Sequence, residues 1–236
     1  MHLPTTAAIL AGGLGTRLRP AVADRPKPLA RVADRPFIAF LLDQLEAAGV
    51  RDVILLTGHR AGQIRDELGD RHGMMHLRYS QESEPLGTAG DVRLALPLID
   101  TESLLLLNGD SFCDIDFDAF ARFHTPGTGS LVLAHVEDGE RFGHVQADAE
   151  GTIQGFSEKG ASHGPAWINA GMYLLPRNLV KMIPPNRAVS LEREVFPRLV
   201  REGQLRGFRQ EGPFIDIGTP ESYAQAEAFV ECIAVQ

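Results

Sequence analysis

Residues 8–28 read AILAGGLGTRLRPAVADRPKP, and this stretch decides the fold. The apolar run from Ala7 to Leu10 stops abruptly at Gly12, Gly13 and Gly15, which predicts a buried strand feeding a glycine-rich loop. Glycine carries no Cβ, so the backbone N–H groups of such a loop can approach a ligand closely. Consecutive N–H groups make an anion-binding concavity. Arg17 stands at the loop's end and Lys27 follows ten residues later. The stretch reads as a cradle for a nucleoside triphosphate. Leu10, Ala11, Gly12, Gly13, Gly15 and Thr16 are its candidate nucleotide contacts, and both cations are aimed at the phosphates.

Two lookalikes fail on single residues. A P-loop requires G-x-x-x-x-G-K-[ST], but Thr16, Arg17 and Leu18 follow Gly15. A dinucleotide fingerprint requires G-x-G-x-x-G, but Leu18 stands where the third glycine belongs. A bare G-G-x-G is equally a tight strand-to-helix turn; Arg17, Pro20 and the Lys27-Pro28 pair tilt the reading toward a ligand.

The bulk numbers bound the partners. The chain has 236 residues, 44% hydrophobic and 23% charged, which is ordinary for a globular protein. It is long enough for one large α/β domain over 1–236, with a nucleotide-binding part to about residue 115 and a second part after it. The net charge of −8 offers nucleic acid or an acidic membrane surface no overall attraction. An anionic substrate must then be held by local positives such as Arg17 and Lys27. Two cysteines, Cys113 and Cys232, follow no motif, so a reducing cytoplasm is expected. The first ten residues do not read as a signal peptide, and no apolar run reaches the length of a membrane span.

Along the chain, apolar spacing predicts a helix over 37–48, closed by Gly49, and a buried strand over 53–56. Helix 60–68, strand 77–80 and helix 88–96 follow, then the strongly apolar strand 104–107. This alternation predicts a doubly wound, mostly parallel α/β sheet, with ligands beyond the carboxyl ends of its strands. Strands at 130–136, 141–145, 152–156 and 168–173 predict a smaller antiparallel extension for a second substrate. Helices are expected at 118–124, 176–182 and 191–201, an edge strand at 205–210, and a closing helix at 221–233 after the Thr219-Pro220 cap. Strand 104–107 delivers Asp110 to the ligand side, a natural site for Mg²⁺, which takes oxygen ligands from one or two carboxylates and substrate phosphates. Asp216 ends a second strand. His72 and His76 do not read as a metal pair.

The pattern G-G-x-G-T-R-L-x-P, then K-P-L, resembles the signature of the sugar-1-phosphate nucleotidylyltransferases, which join a sugar 1-phosphate to the α-phosphate of a nucleoside triphosphate and release pyrophosphate. The resemblance recurs along nearly the whole chain and implies a Rossmann-like α/β fold. It implies that Gln81, Pro85, Gly87 and Thr88, in Q-E-S-E-P-L-G-T-A-G, read the nucleobase. Guanine's N1–H and N2–H₂ donors would suit Glu82, Glu84 or a backbone carbonyl, whereas Gln81 equally suits uracil or thymine. It also implies that Asp110 and Asp216 are the Mg²⁺ ligands. Gly143, Glu158, Lys159 and Asn169 would bind the sugar phosphate, although Gly160 replaces the proline common after E-K. Arg17, Lys27 and Asp110 are the catalytic candidates. Within the family, Y-S-x-E-x-E-P-L-G-T-A-G with F-I-D-I-G-T-P looks most like the D-glycero-D-manno-heptose 1-phosphate guanylyltransferases. Mannose 1-phosphate guanylyltransferases and N-acetylmuramate 1-phosphate uridylyltransferases are the close alternatives. A non-catalytic nucleotide-sugar sensor is an alternative of another kind. Oligomeric state is left open by the sequence, a homodimer included.

Overall fold

The computed structural model describes residues 2–157 and 164–233. Its centre is an eight-stranded sheet. In chain order the strands are β1 (Thr6–Leu10), β2 (Asp52–Thr57), β3 (Arg71–His72), β4 (Met75–Gln81), β5 (Ser103–Asn108), β6 (Gly129–Val136), β7 (Ala166–Pro176) and β8 (Leu205–Gln210). In space they run β8-β6-β7-β5-β1-β2-β4-β3. Strand β1 lies between β2 and β5 and is parallel to both; β2–β4 and β6–β8 are also parallel. Strand β7 runs against both β5 and β6.

Both faces of this sheet are covered, which explains why its central strands are apolar throughout rather than alternating. Ala7 and Ile9 of β1, with Leu105 and Leu107 of β5, join one core cluster; Ala8, Leu104 and Leu106 join the other. Helix α1 (Phe37–Ala47) buries Phe37, Ile38, Leu41, Leu42 and Leu45 in the first cluster. Gly49, at φ +83, ends that helix as its position predicts. Helix α2 (Ala61–Leu68) buries Ile64 in that same cluster. Helix α3 (Gly87–Leu94) places Ala89 and Val92 in the second.

The expected elements are present with local changes. The segment anticipated as an antiparallel extension divides. Val145–Ala147 and Ile153–Phe156 form a separate antiparallel ribbon, while β6, β7 and β8 continue the main sheet, β8 at its edge. Residues 141–143 stay outside strand geometry, and His144 makes an isolated antiparallel bridge with Ile168. Helix 191–201 starts with a wide π-type turn over Leu191–Val195 before becoming α-helical at Phe196–Arg201. Pro197 follows that turn and has no N–H to continue a regular ladder. The closing helix breaks at Gln225 into Pro220–Ala224 and Ala226–Ile233. Thr219 does cap it, in a reciprocal box with Ser222. No helix among the described residues is long and apolar enough to cross a membrane.

Candidate active site

The chain winds from β1 to β2 and β4 on one side, then crosses to β5 on the other, so a crevice opens above the carboxyl end of β1. There lies a cleft of about 730 Å³. No helix follows the glycine loop; residues 16–21 form successive turns instead. An anion here would therefore meet loop N–H groups and side chains rather than a helix end. Gly15 has φ +59, and a Cβ on it would lie 3.3 Å from Lys27 Cβ. The loop must be glycine there both to turn and to let Lys27 pass beneath. Gly109 is needed for a different reason: a Cβ would stand 2.5 Å from Leu10 O, where the chain leaving β5 crosses the end of β1.

Lys27 opens a short 3₁₀ turn between Pro26 and Pro28. Its side chain is only 9% exposed, and Nζ pairs with Asp110 Oδ2 at 2.5 Å. Asp216 reaches the same place by a small ladder. Ser111–Cys113 pairs antiparallel with Phe214–Asp216, in a register that sets Asp216 opposite Ser111. Ile217 N–H donates to Asp110 O (2.9 Å), which locks the two strand ends together. Ser111 Oγ lies 3.3 Å from Asp110 Oδ1 and 3.5 Å from Asp216 Oδ2, so the two carboxylates converge. Asp216 Oδ1 accepts from Gly218 N at 2.6 Å. Burial, then the charge of Asp110, pushes the Asp216 carboxyl above its ordinary value, against the opposing pull of Lys27. Two near carboxylates in partial burial fit a divalent cation that would complete its shell with phosphate oxygens. Arg17 lines the cleft, exposed and without a hydrogen bond or ion pair among the described residues.

On the other side of β1, Gln81, Pro85, Gly87 and Thr88 line the cleft, as do Leu10, Ala11, Gly12, Gly13, Gly15 and Thr16. Thr88 does not cap its helix. It lies in the first turn, donates to Glu192 Oε2 (2.8 Å) and accepts from Leu191 N (2.9 Å). Gly87 and Gly90 admit this crossing segment: a Cβ on either would meet a carbonyl of Val189 or Arg187 within 3 Å.

The sugar-side candidates are less gathered. Gly143 and Asn169 are not on the cleft wall. The Asn169 side chain accepts from Gly171 N (2.9 Å) and donates to Tyr173 OH (3.0 Å), bracing the irregular stretch of β7. Glu158 and Lys159 lie outside the described residues. Cleft residues that the sequence did not single out are Asn108, Asp91, Glu192, Gly58 and His59. Cys113 offers no nucleophile, since it is buried and its thiol is pushed up to about 12 by that burial. His72 bonds Asp43 (2.7 Å) rather than a partner histidine.

A model of the nucleotidyl transferase family matches residues 6–232. A mannose-1-phosphate guanylyltransferase of Mycobacterium tuberculosis is 35% identical over 227 residues, 94% of this chain and 63% of that protein. The catalytic subunit beta of the enzyme of that name from Drosophila pseudoobscura pseudoobscura is 37% identical over 226 residues, 93% of this chain and 60% of that protein. The chain thus spans about three-fifths of the length of these curated relatives. Among solved structures, HddC from Yersinia pseudotuberculosis complexed with GMP-PN superposes with a TM-score of 0.86 at 31% identity, covering 94% of this chain and 98% of that one.

Proposed function

The chain belongs to the nucleotidyl transferase family, and from that premise we propose that it transfers a nucleoside monophosphate from a nucleoside triphosphate to a sugar 1-phosphate. The observation that carries the reading is the meeting of Lys27, Asp110 and Asp216 beside the glycine loop. In the reaction, an oxygen of the sugar phosphate attacks the α-phosphorus, the new P–O bond forms in line, and the bond to the bridging oxygen of pyrophosphate breaks. The attacking group is already an anion, so no protein nucleophile is required. What the protein supplies is position and charge. Loop N–H groups hold the triphosphate. Lys27 steadies the α-phosphate or the incoming phosphate, and Arg17 faces the charge that grows on the leaving group. Asp110 and Asp216 would hold Mg²⁺, which when bound screens the repulsion between the two phosphate esters. Gly143, Glu158, Lys159 and Asn169 are proposed to hold the sugar side.

The base we propose is guanine. The relatives named above are guanylyltransferases or were solved with a GMP derivative, and Glu84 lines the cleft beyond the glycine loop. An acceptor of that kind suits the N1–H and N2–H₂ donors of guanine. The sugar we propose is D-glycero-D-manno-heptose 1-phosphate, on the motif pattern of the chain. Mannose 1-phosphate is the second reading, favoured by the names of the curated relatives. The two sugars share the manno ring and differ in one added carbon. A pyrophosphate-release assay over GTP, UTP, dTTP and ATP against both sugar phosphates, with N-acetylmuramate 1-phosphate as a third, tests the reading. GTP with a manno-configured sugar 1-phosphate should give the highest kcat/KM. Binding of nucleotide sugar without turnover of any pair would make the chain a sensor.

A further inference from the structure

A second pair of acids in the cleft has no part in the chemistry above. Glu82 follows β4 and is held on three sides. Its N–H donates to Thr57 O (2.9 Å), its Oε2 accepts from Leu86 N (2.6 Å), and its side chain lies flat over Gly58. A Cβ on Gly58 would stand 2.4 Å from Glu82 Oε1, and one on Gly12 would stand 3.3 Å from it. The carboxylate thus packs against the glycine loop and the chain after β2 and bonds the loop 82–86. Asp91, on α3, is 8% exposed, and its Oδ1 is buried with no hydrogen-bond donor among the described residues. Its side-chain partner is the carboxyl of Glu82. An ionised carboxylate only accepts, so two carboxyls can bond each other only through a proton that one of them keeps. Burial first, then this bond to Glu82, pushes Asp91 up to about 8.

Among the described residues, Glu82 is the only charged group that acts on Asp91. The segment packed over α3 sends Glu192 to Thr88 and Arg187 to Glu194. Arg93, on the same helix, bonds Ile183 O at 3.0 Å.

We propose that Asp91 is a positioning residue for the nucleotide: as the protonated acid it donates to Glu82, and Glu82 held in this way keeps the Leu86 N–H and the loop 82–86 in place at the base end of the cleft. The inference rests on the reading of the cleft as a nucleotide site. When the proton leaves, two negative charges face each other with no counterion, Glu82 swings away, and Leu86 loses its acceptor.

The test compares wild type with Asp91→Asn, whose amide donates without titrating, and Asp91→Ala, which has no donor. In wild type the KM for the triphosphate should rise about tenfold from neutral pH to about pH 9, because the competent fraction falls to about one tenth one unit above the pKa, with kcat unchanged. For Asp91→Asn it should stay level; for Asp91→Ala it should be raised at neutral pH already. The titration of the base itself is common to all three proteins. Parallel pH profiles for wild type and Asp91→Asn would overturn the proposal. A changed preference among bases would also overturn it, by making Asp91 a base contact. Amide exchange at Leu86 in the ligand-free protein gives a second readout. Its protection factor should fall over the same pH range in wild type and hold in Asp91→Asn. Equal protection in both would overturn the positioning role whatever the assay shows. Failure of every triphosphate to react, with the exchange contrast intact, would instead remove only the reaction assigned above.

Discussion

Two pairs of acids flank the cleft, one on each side of strand β1, Asp110 on its wall with Asp216 behind it and Glu82 on its wall with Asp91, and they differ in the charges around them. Asp110 and Asp216 stand beyond β5, with the Lys27 ammonium in contact and the Arg17 guanidinium near enough to act on Asp216. Glu82 and Asp91 stand beyond β4 and on α3, and among the described residues no cation acts on Asp91. The first pair has positive charge around it: a lysine, an arginine and room for a divalent ion. The second, as proposed above, keeps a proton. A chain of net charge −8 thus concentrates its positive groups where phosphates must be gathered and leaves the base end to hydrogen bonds. The difference separates the two ends by function. One end should govern the chemical step, the other the fit of the nucleotide.

The sharpest way to break this division is to remove a charge from the first pair. Lys27→Ala and Asp110→Asn should each lower kcat about 10²–10³-fold, the usual cost of losing one preorganised charge. Circular dichroism and the thermal midpoint should show the fold retained. Near-wild-type pyrophosphate release from either variant would deny the phosphate end its role. Acting on the other pair should give a smaller change of another kind. In Gly58→Ala the new methyl would stand 2.4 Å from Glu82 Oε1, so the flexible Glu82 side chain must leave and Leu86 N loses its acceptor. KM for the triphosphate should rise about tenfold, roughly 1.4 kcal/mol, with kcat little changed. A fall in kcat with KM unmoved would erase the distinction between the two ends.

The two ends also differed in how far the sequence revealed them. Arg17 and Lys27 could be read from one contiguous stretch, because a glycine loop and a proline-flanked lysine are local features. Asp110 and Asp216 could be placed at strand ends from apolar runs that stop at a carboxylate. What brings them together is the ladder between Ser111–Cys113 and Phe214–Asp216, a long-range pairing of short strands with weak propensity signals. The Glu82–Asp91 pair was not legible. Asp91 reads as an ordinary solvated helix residue, and only the segment around Val189, packed over α3 where Gly87 and Gly90 lack side chains, shows how closely that helix is covered. Two glycines three apart at a helix start were the available sign of such an approach. The expected helix at 191–201 gave no warning of its π-type first turn, which carries Glu192 onto Thr88. On the sugar side, Asn169 spends its hydrogen bonds on β7 itself, a use that no spacing in the sequence announces.

The smallest effect expected is on stability, and it isolates the proton from any ligand. Asp91 has a folded-state value raised from 3.8 to about 8. Between those values the folded chain holds a proton that the unfolded chain has lost. Unfolding then releases a proton, and stability must fall as pH rises. The contribution is fully present below 3.8 and gone above about 8, where both states are ionised. In Asp91→Asn this titration is absent. The difference in unfolding free energy, wild type minus variant, should therefore decline steadily from about pH 4 to about pH 8 and then level off. Urea unfolding of the ligand-free proteins at intervals across that range measures it, each extrapolated value being compared at equal m. The Asp110–Asp216 pair cannot produce this contrast, because both proteins carry it unchanged. A difference that stays flat with pH would mean that Asp91 is ionised in the folded protein like any surface aspartate, and the two acid pairs would then be alike.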